Sequence, residues 1–143
     1  MAKPQQDPKL FTVGEANELI PTVSRVLNTI RKKRDELMKL EQKKAVEELS
    51  WLREDGTVSP KAKEEVERLD QLTEEATHSF EEELEQLNLL GAQLKDLDEG
   101  LIDFFADRGG ELIYLCWKEG EDQIRYWHDL ESGFAGRQPI GQL

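Results

Sequence analysis

Apolar residues recur along the first half of the chain at the three- and four-residue intervals of one helical face: Ile20, Val23, Leu27, Ile30 and Leu37, then, after a drift, Ala45, Leu49 and Leu52. Thr12-Val13-Gly14-Glu15 has the capping-box pattern, in which hydroxyl and carboxylate satisfy backbone N–H groups, so a helix is predicted to start at about Val13. Pro21 lacks an N–H and crowds the preceding turn, which predicts a short helix that breaks or kinks before a second one begins. The long helix is expected to end near Trp51, before turn chemistry over 53–58. Ser59-Pro60 supplies an N-cap and a first-turn proline. A second helix follows, with its stripe at Ala62, Val66, Leu69, Ala76, Phe80, Leu87 and Leu90 and a left-handed cap at Gly91.

The period then changes. Residues 101–106, 111–117 and 123–128 are aromatic or branched runs separated by turn-forming stretches at 107–110 and 118–122. They read as consecutive antiparallel strands, with 92–95 as a possible first strand turning at Asp98-Glu99-Gly100. The predicted fold is α+β: a long antiparallel helical hairpin over 13–91, a three- or four-stranded meander over 92–130 and a C-terminal loop over 131–143. The start, 1–10, reads as flexible, and the whole as one domain of 143 residues.

Charge sharpens the hairpin. Residues 13–52 carry eight basic and seven acidic side chains, whereas 60–90 carry three and ten. Folding about Gly56 brings Arg31-Lys32-Lys33-Arg34 level with Glu81-Glu82-Glu83, so the basic run is neutralised inside the hairpin rather than offered to nucleic acid. The net charge of -12 also opposes phosphate and anionic membrane, which excludes both as expected partners. No apolar run approaches the roughly 20 residues of a bilayer span, and the polar start lacks a signal-peptide core, so a cytoplasmic setting is expected. Cys116 is the only cysteine, so neither an intrachain disulfide nor a zinc site of several thiolates is expected, and no cofactor is called for.

Leu10-Phe11-Thr12-Val13-Gly14-Glu15-Ala16-Asn17 with Pro21, Leu94-Lys95-Asp96, Gly100-Leu101-Ile102-Asp103-Phe104, Leu115-Cys116-Trp117, Tyr126-Trp127-His128 and Gly133-Phe134-Ala135-Gly136-Arg137 carry a resemblance over nearly the whole chain. The sequence resembles an uncharacterised bacterial family of conserved hypothetical proteins, domain-of-unknown-function family 2203. The resemblance implies a bacterial, cytoplasmic protein and no particular chemistry.

Candidate chemistry lies on the strands. Pairing them across the two turns sets Asp103 opposite Tyr114, Phe105 opposite Leu112, Cys116 opposite Ile124, Tyr114 opposite Tyr126 and Leu112 opposite His128. One face then holds Ile102, Phe104, Ile113, Leu115, Trp117 and Trp127, the apolar bulk expected to sit on the helices. The other holds Asp103, Tyr114, Tyr126 and His128, where an imidazole and a carboxylate can act as base and orienter; alternatively Asp103 caps a turn or binds backbone amides, the tyrosines cover apolar surface and His128 is half exposed. In this register Cys116 and His128 lie about 13 Å apart at roughly 3.3 Å per residue, which argues against a thiol–imidazole dyad and for a buried structural thiol. Arg137, in the loop Gly133-Phe134-Ala135-Gly136-Arg137, can meet an anion or merely close the loop. Asp96-Leu97-Asp98-Glu99-Gly100 lacks the spacing of a calcium loop, so no metal site is predicted, and His78 falls on the solvated side of its helix.

The function these readings favour is a non-enzymatic interaction or assembly module, a homodimer formed through the helices with Leu69 and Leu72 at the contact. The alternative is a small-ligand-binding or catalytic domain using Asp103, Tyr114, Tyr126, His128 and Arg137.

Overall fold

The computed structural model describes residues 8–51 and 55–142. The expected flexible start falls mostly outside them, as do Leu52 of the first stripe and Arg53 and Glu54 of the expected turn. The elements are α1 (Val13–Trp51), α2 (Pro60–Leu89), β1 (Gln93–Asp96), β2 (Leu101–Arg108), β3 (Glu111–Lys118), β4 (Tyr126–His128) and β5 (Gln138–Pro139). The strands form one antiparallel sheet in the order β1-β2-β3-β4-β5. The fifth strand comes from the C-terminal segment read as loop, and it pairs Tyr126 with Pro139 and Trp127 with Gln138. Among the described residues no helix is long and apolar enough to cross a membrane. The chain divides into two compact units, one made of Met1–Leu27 with Gln86–Leu143 and the other of Asn28–Glu85.

In the first unit, Thr12 and Glu15 form the capping box: Thr12 N–H donates to Glu15 Oε1 at 3.0 Å, and Glu15 N–H to Thr12 Oγ1 at 3.1 Å. The backbone hydrogen bond from Thr12 holds the Glu15 carboxyl below its ordinary range. Pro21 does not break the helix. Ala16, Ile20, Val23 and Leu27 are all buried on one face spanning the proline, and their burial, at roughly 1.5–3 kcal/mol for each large side chain, outweighs the roughly 3 kcal/mol that an interior proline costs. The sheet's inward face is the expected one, with Ile102, Phe104, Ile113, Leu115, Trp117 and Trp127 buried.

α2 ends in a Schellman motif. Ala92 N–H donates to Leu87 O at 3.3 Å and Gly91 N–H to Asn88 O at 2.9 Å, with Gly91 at φ 86°. The Phe11 ring lies against that glycine: a Cβ there would stand 2.7 Å from Phe11 Cζ. Phe11 also packs edge-on against Phe104 at 5.2 Å, and its N–H reaches Phe105 O at 2.8 Å.

In the second unit, Ser59 caps α2 through Ala62 N–H (3.3 Å), and Asp55 closes the preceding turn by accepting from Thr57 N–H at 2.9 Å. Ala62, Val66 and Leu69 are buried as expected of an inner stripe. α1 departs from the reading: Leu49 is 85% exposed and Val46 and Met38 are also exposed. The inner side of α1 continues instead through Lys33, Leu37, Leu40, Lys44 and Glu47, all half-buried. Charged residues tolerate these positions because their stems pack while their heads pair, Lys33 with Glu83 at 3.1 Å and Lys44 with Asp70 at 2.5 Å.

Gly91→Ala forces a left-handed alanine into the Phe11 ring. It is expected to lower stability by on the order of 2 kcal/mol in urea unfolding. A loss below about 0.5 kcal/mol would show that the cap relaxes freely.

Candidate functional site

The turn between β2 and β3 decides the geometry of the sheet's second face. Gly109 and Gly110 have φ of 58° and 91°, as a two-residue type I′ hairpin requires, so Asp107 and Arg108 stay in the strand. Asp103 then faces Cys116, and Phe105 faces Tyr114, two residues from the register expected of a longer turn. The β3–β4 register also moves by two, giving Tyr114↔His128 and Cys116↔Tyr126. The cause is the connection, which folds around Glu121. Glu121 accepts Trp117 Nε1–H through its carbonyl (2.9 Å) and Lys118 N–H through Oε1 (2.6 Å), while Ile124 N–H is taken by Asn17 Oδ1 at 2.6 Å, so β4 begins only at Tyr126. Shifts of two preserve which face each side chain occupies but change its neighbours.

Asp103 on β2 thereby stands directly opposite Cys116 on β3 and His128 on β4 diagonally across from it, and one donor atom of each of the three lies within 4.8 Å of the other two. The expected 13 Å separation of thiol and imidazole is therefore overturned by the register. Burial corrects a second expectation. His128 is 2% exposed rather than half exposed, Asp103 is likewise 2% exposed, and Cys116 is buried beside them. This is not the face that carries the apolar bulk; the segment after β4 borders it, and Leu130, Gly133 and Phe134 line a pocket of about 170 Å³ together with the three residues.

His128 Nε2 stands 3.0 Å from Asp103 Oδ2, and Nδ1 stands 2.6 Å from the Asp129 carbonyl. A carbonyl only accepts, so Nδ1 carries a hydrogen, and the second nitrogen is left facing a carboxylate. Asp129 holds its own turn by accepting from Ser132 N–H (2.7 Å) and Glu131 N–H (2.9 Å), and these backbone bonds keep its carboxyl below the ordinary range. Asp103 Oδ1 is buried with no hydrogen-bond partner. Burial, reinforced by the Asp103 charge, pushes the Cys116 thiol up to about 12, so the sulfur rests as a thiol and is not an activated nucleophile.

The other expected site residues are placed nearby and engaged. Tyr114 tilts against His128 at 5.4 Å, stacks on Phe105 at 4.8 Å, and donates its hydroxyl to Gln93 Oε1 at 3.2 Å. Tyr126 lies under the Arg137 guanidinium at 4.0 Å. Arg137 donates from Nη2 to both Glu121 carboxylate oxygens, at 2.6 and 2.8 Å, and leans over Phe134 at 4.8 Å, which ties the C-terminal segment to the β3–β4 connection. Glu121 and Lys95, the latter 4.5 Å over the Tyr114 ring, are contributors that the sequence reading passed over. The signal for the whole cluster was Gly109-Gly110, a two-residue hairpin dipeptide that fixes the register once it is taken as such. His78 is exposed beside Glu82, as expected.

A helical hairpin followed by an antiparallel five-stranded meander, with a buried carboxylate–imidazole–thiol cluster on the sheet, defines the class of α+β protein to which the chain conforms. The chain belongs to the family described as "Uncharacterized conserved protein (DUF2203)", whose model matches residues 9–140. No curated protein and no solved structure matches it.

Removing the imidazole strands a buried carboxylate, so His128→Ala is expected to lower stability by about 3 kcal/mol. Asp103→Asn should lose only about 1 kcal/mol, because the amide N–H can donate to Nε2. Equal, negligible losses in urea titrations would contradict a buried pair. Iodoacetamide at pH 8 is expected to label Cys116 only when the protein unfolds, which mass spectrometry across a urea series checks; rapid labelling without urea would contradict the buried thiol.

Proposed function

We propose that the protein is a cytoplasmic, non-enzymatic assembly module that pairs with a second copy of itself through α1 of the hairpin unit. The observation that carries this reading is the outward stripe Met38, Gln42, Ala45, Val46 and Leu49, in which every residue is exposed and the spacing follows one helical face. The stripe is largely apolar and lies on a helix whose inner face is already occupied; only Gln42 and Val46 border the groove shared with Leu69 of α2. Of the two expected contacts, Leu69 is buried inside the hairpin and Leu72 is half-buried, whereas the stripe on α1 is exposed.

Charge favours a second copy as the occupant. Residues 28–51 carry seven basic and five acidic side chains, and 60–85 carry three and ten. Two hairpins related by a two-fold axis that lay the stripe of each copy's basic α1 on the acidic α2 of the other bury both stripes and pair opposite charges. The resulting four-helix arrangement needs no further component.

Sedimentation equilibrium at micromolar concentration and moderate salt is expected to give twice the 16.5 kDa chain mass. Leu49→Glu combined with Met38→Glu should return a monomer with unchanged helical circular dichroism. A wild-type monomer, or a dimer indifferent to both substitutions, would overturn the reading.

A further inference from the structure

The three side chains at the centre of the sheet's second face differ in kind, as the ligands of a borderline-soft metal do. From this geometry we infer that Asp103, Cys116 and His128 form a divalent transition-metal site, suited to zinc, with a fourth position open to the adjoining pocket.

Three observations converge. The first is spacing. With bonds of about 2.3 Å to sulfur and 2.0–2.1 Å to nitrogen and oxygen, the donor atoms of a tetrahedral zinc site stand roughly 3.3–3.8 Å apart. Here they lie within 4.8 Å of one another on adjacent strands, so side-chain adjustment of about 1 Å closes the set without moving the sheet. The second is orientation. His128 Nδ1–H donates to the Asp129 carbonyl at 2.6 Å, the outer contact that fixes a ligating histidine and aims Nε2 inward. That nitrogen faces Asp103 Oδ2 at 3.0 Å, an arrangement that calls for something positive between them, a proton or a metal. The third is an unmet valence: Asp103 Oδ1 is buried and makes no hydrogen bond.

Charge balances on loading. The ion displaces the Cys116 thiol proton and the proton between Nε2 and Oδ2, both of which pass to solvent. Thiolate and carboxylate then neutralise the two positive charges, so the buried site gains no net charge. The step is ligand exchange, and nothing is oxidised or reduced. Leu101, Leu130 and Phe134 line the pocket beside the open position, which has room for a water molecule. Mixed thiolate, imidazole and carboxylate donors favour zinc or cobalt over magnesium or calcium, which take oxygen ligands.

Because Cys116 is the only cysteine, a thiolate-to-metal absorption band can arise from no other residue. The full-length protein, treated with chelator and titrated with Co²⁺, should show one equivalent bound per chain with a thiolate-to-cobalt charge-transfer band in the near ultraviolet. Zn²⁺ should displace it and raise the thermal midpoint. Cys116→Ala, which leaves the Asp103–His128 pair intact, should abolish the band and weaken zinc binding at least tenfold in competition with a chromophoric chelator. Asp103→Asn should weaken it comparably while remaining folded. Cobalt binding without the band, or zinc affinity unchanged in Cys116→Ala, would place the metal elsewhere, for instance at the exposed His78–Glu82 pair, and would overturn the assignment, as would the absence of binding by the folded wild type.

Discussion

The alignment of β2 with β3 governs what the sheet can do, and two consecutive glycines set it. A type I′ turn needs positive φ at both central residues, which side chains resist and glycine accepts. Gly109 and Gly110 meet that demand in the shortest hairpin connection, and every cross-strand neighbour upstream is then determined. Asp103 meets Cys116 instead of Tyr114 for this reason alone. A connection two residues longer would leave the same faces inward and outward but dissolve the cluster.

The sequence made the elements legible wherever one physical signal dominated. Capping residues at Thr12, Glu15 and Ser59 and the left-handed Gly91 gave helix ends that the structure reproduces, and alternation along 101–106 and 111–117 sorted the two sheet faces. Pro21 misled because its local cost was given more weight than the apolar period that crosses it, and burial of Ile20 and Val23 on either side, a tertiary effect, outweighs that cost. The late start of β4 was hidden because it too is tertiary, since the Asn17–Ile124 hydrogen bond joins residues 107 positions apart. Of the candidate site, residue identity was readable but adjacency was not: a register error of two conserves alternation, so periodicity cannot reveal it.

The C-terminal segment converts that adjacency into a buried environment. Without it, the Asp103–His128 pair would sit on an open sheet, where water screens charge and an ion pair contributes little. The Asp129 turn and Phe134 bring a loop over this face, while the Arg137–Glu121 pair fastens the chain that leads into β5 at the sheet's edge. Arg137 also stacks on Tyr126, so its planar head packs on an aromatic ring and serves as the counter-charge for Glu121.

In the hairpin unit, the pairs Lys33–Glu83 and Lys44–Asp70 contribute little energy at their exposure, yet they act as a vernier between the two helices. Slide α2 by one heptad and the apolar spacing still matches, but Lys33 then meets Ala76 and Lys44 meets Lys63. The correct alignment is thus distinguished from its nearest competitor by charge rather than by hydrophobic fit. Interactions too weak to hold the hairpin together are sufficient to choose which hairpin it is.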